Sequence, residues 1–163
     1  MKTSNESVLD VPAPQRRTGQ AASVASPKSA PSCHILFVDD EPMIRRNVWH
    51  ALTRAGYTVA LAEDGEVAWR ALSSEPFDLL ITDSHMPGLS GEELVVRLRR
   101  HGMTLPVIVA AARIEFFMRP ENRYLRVAAV LSKPFLFQPL FEAIRCALNL
   151  ETLDAQTNQP PVK

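Results

Sequence analysis

Apolar residues fall in five short blocks along this chain, and stretches of helical spacing separate them. Ile35-Leu36-Phe37-Val38 is the first block. It is unbroken by polar residues, as a strand covered on both faces requires. Pro42 suits the first turn of a helix, in which Ile44, Val48, Ala51, Leu52 and Ala55 recur at helical spacing. Gly56 stands where a helix usually stops. Residues 57–62 predict a second strand. Asp64-Gly65 opens a second helix with Val67, Ala68, Ala71 and Leu72 inward, and residues 77–82 predict a third strand. Ser90 followed three positions later by Glu93 is a capping-box pattern, opening a helix with Leu94, Val95 and Leu98 inward. Residues 105–111 and 127–132 predict strands four and five. A last helix from 138 to about 150 turns Leu140, Phe141, Ile144, Ala147 and Leu148 inward.

Five apolar strands alternating with helices predict an α/β fold. Its parallel sheet is doubly wound, with helices on both faces and right-handed crossovers. One segment breaks the rhythm. Pro120 falls inside the helix expected after strand four, where a proline costs about 3 kcal/mol. That helix is expected to be short, kinked or replaced by a loop. Phe116, Phe117 and Met118 then either form an apolar surface or fill the core.

Composition sets the limits. A hydrophobic fraction of 46% with 22% charged residues suits a soluble globular chain. Zero net charge gives no overall attraction to nucleic acid or to an anionic membrane. No apolar stretch is long enough to span a bilayer. Residues 1–31 are rich in Pro, Ser, Ala and Gln without apolar periodicity and are expected to be a disordered tail. They contain no secretory h-region. Residues 32–150 form the expected domain, and residues 151–163 a short polar tail. Cys33 and Cys146 are expected to be plain thiols. His34, His50, His85 and His101 have no zinc-site spacing.

The chemistry gathers at strand ends. Strand one runs into Asp39-Asp40, strand three into Asp83-Ser84-His85-Met86-Pro87-Gly88, and strand five into Lys133-Pro134. In open α/β sheets, ligands bind at the carboxyl ends of the strands. Three carboxylates and one ammonium at one edge have the composition of a metal-assisted phosphoryl-transfer site.

With those residues placed, the chain resembles the receiver domain of two-component response regulators over about residues 33–150. Val38-Asp39-Asp40-Glu41-Pro42, Asp83-Ser84-His85-Met86-Pro87-Gly88 and Lys133-Pro134-Phe135 carry the likeness, supported by Glu63-Asp64-Gly65 and Leu89-Ser90-Gly91. The resemblance implies a flavodoxin-like strand order of 2-1-3-4-5. It also implies that Asp83 is the phosphoacceptor and nucleophile, and that Lys133 neutralises the transferred group. Mg2+ would be held by Asp40, Asp83 and the backbone carbonyl of His85, with Asp39 holding a metal-bound water. The Lys133-Pro134 bond is expected to be cis. The phosphodonor would be a sensor histidine kinase or a histidine phosphotransfer protein, and the output a contact with a downstream protein in the cytoplasm. A homodimer is compatible with this.

The chain also departs from the pattern. Ala111 stands where receivers carry Thr or Ser, and Val130 where they carry an aromatic switch residue. Two readings follow. In the first, a single-domain response regulator takes phosphate on Asp83, without turnover of a separate substrate and without direct DNA contact, since no output domain is expected after Leu150. In the second, a degenerate receiver binds a partner largely independently of phosphate. An aspartate-nucleophile phosphatase of the haloacid dehalogenase type fits poorly, because Asp39-Asp40-Glu41 lacks the Asp-x-Asp spacing.

Overall fold

The computed structural model describes residues 33–149; both expected tails lie outside them. The strands are β1 His34–Val38, β2 Thr58–Ala62, β3 Leu79–Asp83, β4 Val107–Ala111 and β5 Ala129–Ser132. They pair in parallel in the order β2-β1-β3-β4-β5. This is the doubly wound, flavodoxin-like sheet expected from the alternation. The helices are α1 Pro42–Arg54, α2 Gly65–Ser74, α3 Gly91–Arg100, α4 Glu115–Met118 and α5 Phe137–Ala147.

The three central strands are buried almost throughout because each face of the sheet carries its own apolar layer. Ile35, Phe37, Leu79, Ile81 and Ile108 pack against Val48 and Leu52 of α1 and Leu140 and Ile144 of α5. Leu36, Val38, Leu80, Val107 and Val109 face Ala68, Leu72, Leu94, Val95 and Leu98 of α2 and α3. Each such large side chain contributes about 1.5–3 kcal/mol when fully buried. Reversing the alternation within one strand would expose one set and crowd the other.

Local chemistry sets the ends. The Asp64 carboxylate accepts from Val67 N at 2.7 Å and caps α2. Ser90 and Glu93 form the reciprocal capping box of α3. Gly56 ends α1 with φ +93°, which a side chain would resist. Ala55 is the exposed cap residue of α1 and not part of its inner face.

The proline-broken segment is short, as expected. α4 has four residues, and Pro120–Leu125 continues as a 3₁₀ helix. Both alternatives for its apolar residues hold in part. Phe117 is buried against the α2–α3 layer with Phe116 half-buried beside it, whereas Met118 is 63% exposed. Leu125, past the proline, is fully buried and fixes the 3₁₀ segment to the core.

Candidate functional site

Parallel pairing of β1, β3 and β4 brings the carboxyl ends of these strands to one edge. Asp39, Asp40 and Asp83 each place a carboxylate oxygen there, all within 4.8 Å of one another. Asp39 and Asp83 are buried, and Asp40 is exposed. Two buried anions so close demand compensation. Lys133, on the loop after β5, provides it. Its Nζ donates to Asp83 Oδ2 at 2.6 Å and to Asp39 Oδ2 at 3.0 Å. Burial acts to pull the Lys133 ammonium down, but its bonds to Asp83 and Asp39 outweigh that and hold its proton affinity above the usual value.

Further bonds aim these groups. Glu41 N donates to Asp39 Oδ1 at 2.9 Å, and the Arg45 guanidinium donates to the Asp39 carbonyl at 2.6 Å. His85 N donates to Asp83 Oδ1 at 3.2 Å. The buried Ser84 hydroxyl lies 3.0 Å from His85 Nδ1. Thr82 Oγ1 donates to the Asp83 carbonyl at 3.0 Å. Lys133-Pro134 is cis, as expected.

All four side chains expected at the site from the sequence are therefore brought together. The His85 imidazole points to Ser84 and not to the acid cluster. Its backbone nitrogen has a role that residue type alone does not signal, namely holding Asp83. The arrangement makes one contribution that patterning did not indicate. Gly91, at the start of α3, lies so close to Asp83 that a Cβ there would collide with the Asp83 carbonyl and the Thr82 hydroxyl. The sequence offers Gly91 only as part of the supporting Leu89-Ser90-Gly91 match, with no sign of this close approach.

The acid cluster fits Mg2+, a hard cation that takes oxygen ligands, usually one or two carboxylates with several waters retained. Asp40 and Asp83, with Asp39 adjacent, are the side chains that would hold it.

Ala111 ends β4 fully buried beside this edge, and Lys133 N donates to its carbonyl at 2.9 Å. Val130 lies half-buried in β5, paired with Val109. Neither side chain has a hydroxyl or a ring to respond to a charge placed on Asp83.

The sheet order and its acid–lysine edge define a class of doubly wound α/β folds with an acidic site at the carboxyl ends of the strands. The sequence pattern of the response regulator receiver domain matches residues 35–145. The chain belongs to that family. It is 35% identical over 123 residues to response regulator MprA of Mycobacterium ulcerans, spanning 76% of this chain and 53% of that protein. It is 33% identical over 129 residues to transcriptional regulatory protein KdpE of Mycobacterium tuberculosis, spanning 79% and 57%. The chain thus spans about half the length of these two relatives. Response regulator TrrA from Thermotoga maritima, solved in complex with Mg2+-BeF, is similar in structure with a TM-score of 0.64 at 32% identity. That match covers 71% of this chain and 99% of the other.

Proposed function

We propose that this receiver accepts a phosphoryl group on Asp83, in a Mg2+-dependent reaction, from the phosphohistidine of a sensor kinase or a histidine phosphotransfer protein. One observation carries the reading: the Lys133 ammonium bridges Asp83 and Asp39 inside a three-carboxylate cluster. A structural neighbour with Mg2+-BeF supports the cation. When bound, the cation supplies neutralisation of charge on the transferred group.

Asp83 Oδ attacks phosphorus, and the P–N bond of the donor breaks with its electron pair returning to the imidazole nitrogen. The donor's second ring nitrogen carries a proton at that moment, so the group that leaves is neutral imidazole and not imidazolate. A carboxylate is a weak nucleophile, so alignment and charge neutralisation do most of the catalysis. His85 N and Lys133 restrain the attacking carboxylate beforehand. During transfer Lys133 exchanges its bond to Asp83 for one to a phosphoryl oxygen while its bond to Asp39 holds it nearby. The protein is modified once and does not turn over a separate substrate.

A groove beside Lys133 suits the approach of a donor helix. Ile44, Val48, Phe135 and Phe137 line it, and Met43 and Leu136 are exposed close to it in the chain. Output then passes through protein contacts in the cytoplasm, with self-association as one form. Among the described residues no helix is long and apolar enough to cross a membrane.

Incubation with Mg2+ and acetyl phosphate, read by intact mass, tests the reading. Wild type gains one phosphoryl group and Asp83→Asn gains none; an unmodified wild type overturns it.

Ala111 and Val130 favour a second reading, a partner-binding module indifferent to phosphate. Equal partner affinity of the modified and unmodified protein would select it.

A further inference from the structure

The charges of this chain are segregated. Its net charge is zero, yet residues 97–126 contain seven arginines, no lysine and two acids. Three of those arginines, Arg99, Arg100 and Arg126, line a cavity of about 470 Å³ with Thr104 and Tyr124. No acidic residue lines it. The cavity sits between the end of α3, the turn into β4 and the residues entering β5. It is therefore at the amino edge of the sheet, opposite Asp83.

The cluster is held by more than surface chance. The Arg99 guanidinium donates to the carbonyls of Met103 and Leu125 at 2.7 Å, of Leu105 at 3.1 Å and of Arg126 at 3.2 Å. Those bonds fix its charge and leave it few free donors. Arg126 adopts a left-handed backbone with φ +47° and ψ +50°, which glycine would tolerate with less strain. A guanidinium is nevertheless kept there, next to another one. The dipole of α3 accounts for bases in the last turn of that helix. It does not account for Arg126, which belongs to a different element. Burial and, after it, the charge of Arg126 both weaken the hold of Arg99 on its proton. Among the described residues, the arginine–carboxylate pairs are Arg45–Glu63 and Arg97–Glu66, so none of the three cavity arginines is neutralised by an acid.

We propose that this cavity binds a phosphate-bearing small molecule of the nucleoside di- or triphosphate class. Arginine forks match phosphate oxygens in pairs. The volume lies in the range of small-ligand pockets. Tyr124, 56% exposed at the rim, offers a ring face to a base. Arg100 and Arg126 donate to the phosphates, and Arg99 contributes fixed positive charge. The site is independent of the Asp83 reaction.

Calorimetric titration of the full chain with inorganic pyrophosphate, ADP and ATP, in metal-free buffer of constant ionic strength, tests this. The expected result is saturable binding at one site, tighter for the nucleotides than for pyrophosphate. Arg126→Gly and Arg100→Ser should each weaken it about tenfold, the effect of losing one hydrogen bond to a charged group. Arg126→Gly should melt no lower than wild type, because it relieves the left-handed strain. Both variants should still be modified on Asp83 by acetyl phosphate at the wild-type rate. Three outcomes overturn the proposal: no saturable binding at millimolar concentration, affinity unchanged in both variants, or nucleotides bound no better than pyrophosphate.

Discussion

Two parts of the same sheet edge differ in how they are built. Around Asp83 both buried acids have partners: Lys133 bridges them, and backbone nitrogens of Glu41 and His85 hold their carboxylates. Along β4 and β5, by contrast, the positions that the resemblance to receivers would make switch residues are the aliphatic Ala111 and Val130, and a four-residue helix lies between them. The chemistry needs polar groups fixed before the reaction. Transmission needs an element with two alternative arrangements. The contrast teaches that these requirements are separable, since one edge keeps the first without the residues that usually serve the second.

The largest expected effect comes from removing the cation that both acids share. Lys133→Met should slow modification by acetyl phosphate roughly a hundredfold or more, the scale seen when a fixed charge-stabilising donor is lost. Time-resolved intact mass would show it. A rate within threefold of wild type would mean that Lys133 is structural only, and the contrast between the two regions would narrow.

Next comes the contact between α3 and Asp83. Gly91→Ala places a methyl group against the Asp83 carbonyl and Thr82. Backbone cannot yield as a flexible side chain can, so destabilisation of about 3 kcal/mol is expected, at the upper end for overpacking. Urea unfolding measures it. An unchanged midpoint would show that α3 slides freely and does not fix the phosphoacceptor.

A smaller effect should appear on the relay side. Ala111→Thr restores a hydroxyl at the end of β4, beside the edge that would carry the phosphoryl group. A hydrogen bond to a charged group is worth about 1.5–3 kcal/mol. Coupling between modification and conformation should therefore rise about tenfold. Amide chemical-shift changes in β4, β5 and the 3₁₀ segment on adding Mg2+ and beryllofluoride would report it. Equal responses in wild type and variant would show that Ala111 does not limit transmission.

Much of this was legible in the sequence, for reasons that can be named. Ile35–Val38 runs directly into Asp39 and Leu79–Ile81 reaches Asp83 through Thr82, so both their strand character and their edge can be read. Strand ends were less sharp. The apolar pattern extends strands four and five over residues 105–106 and 127–128, two residues before β4 and β5 begin. They do bond to their neighbours, as Leu80 N to the Pro106 carbonyl and Ala128 N to the Val107 carbonyl show. Pro120 signalled a broken helix, but not that a 3₁₀ turn would carry Leu125 into the core. Nothing in the sequence marks Arg99, because its carbonyl partners lie in loops that only the folded chain brings together. Ala111 stands out only through the resemblance to receivers, since no physical pattern in β4 distinguishes it.

The smallest expected effect is one of pH, and it sharpens the acid side. Lys133 is held above its ordinary value, about 10.4. A cation with a raised folded value contributes stability that is fully present below the unfolded value and is lost as pH rises through the folded one. The stability difference between wild type and Lys133→Met should therefore stay constant from neutral pH to about pH 10 and shrink only above it. Paired urea titrations across that range would measure the difference. A difference already shrinking near pH 8.5 would mean that burial outweighs the two carboxylates. Lys133 would then be partly neutral at rest, and the well-satisfied acid edge would be as incomplete as the relay beside it.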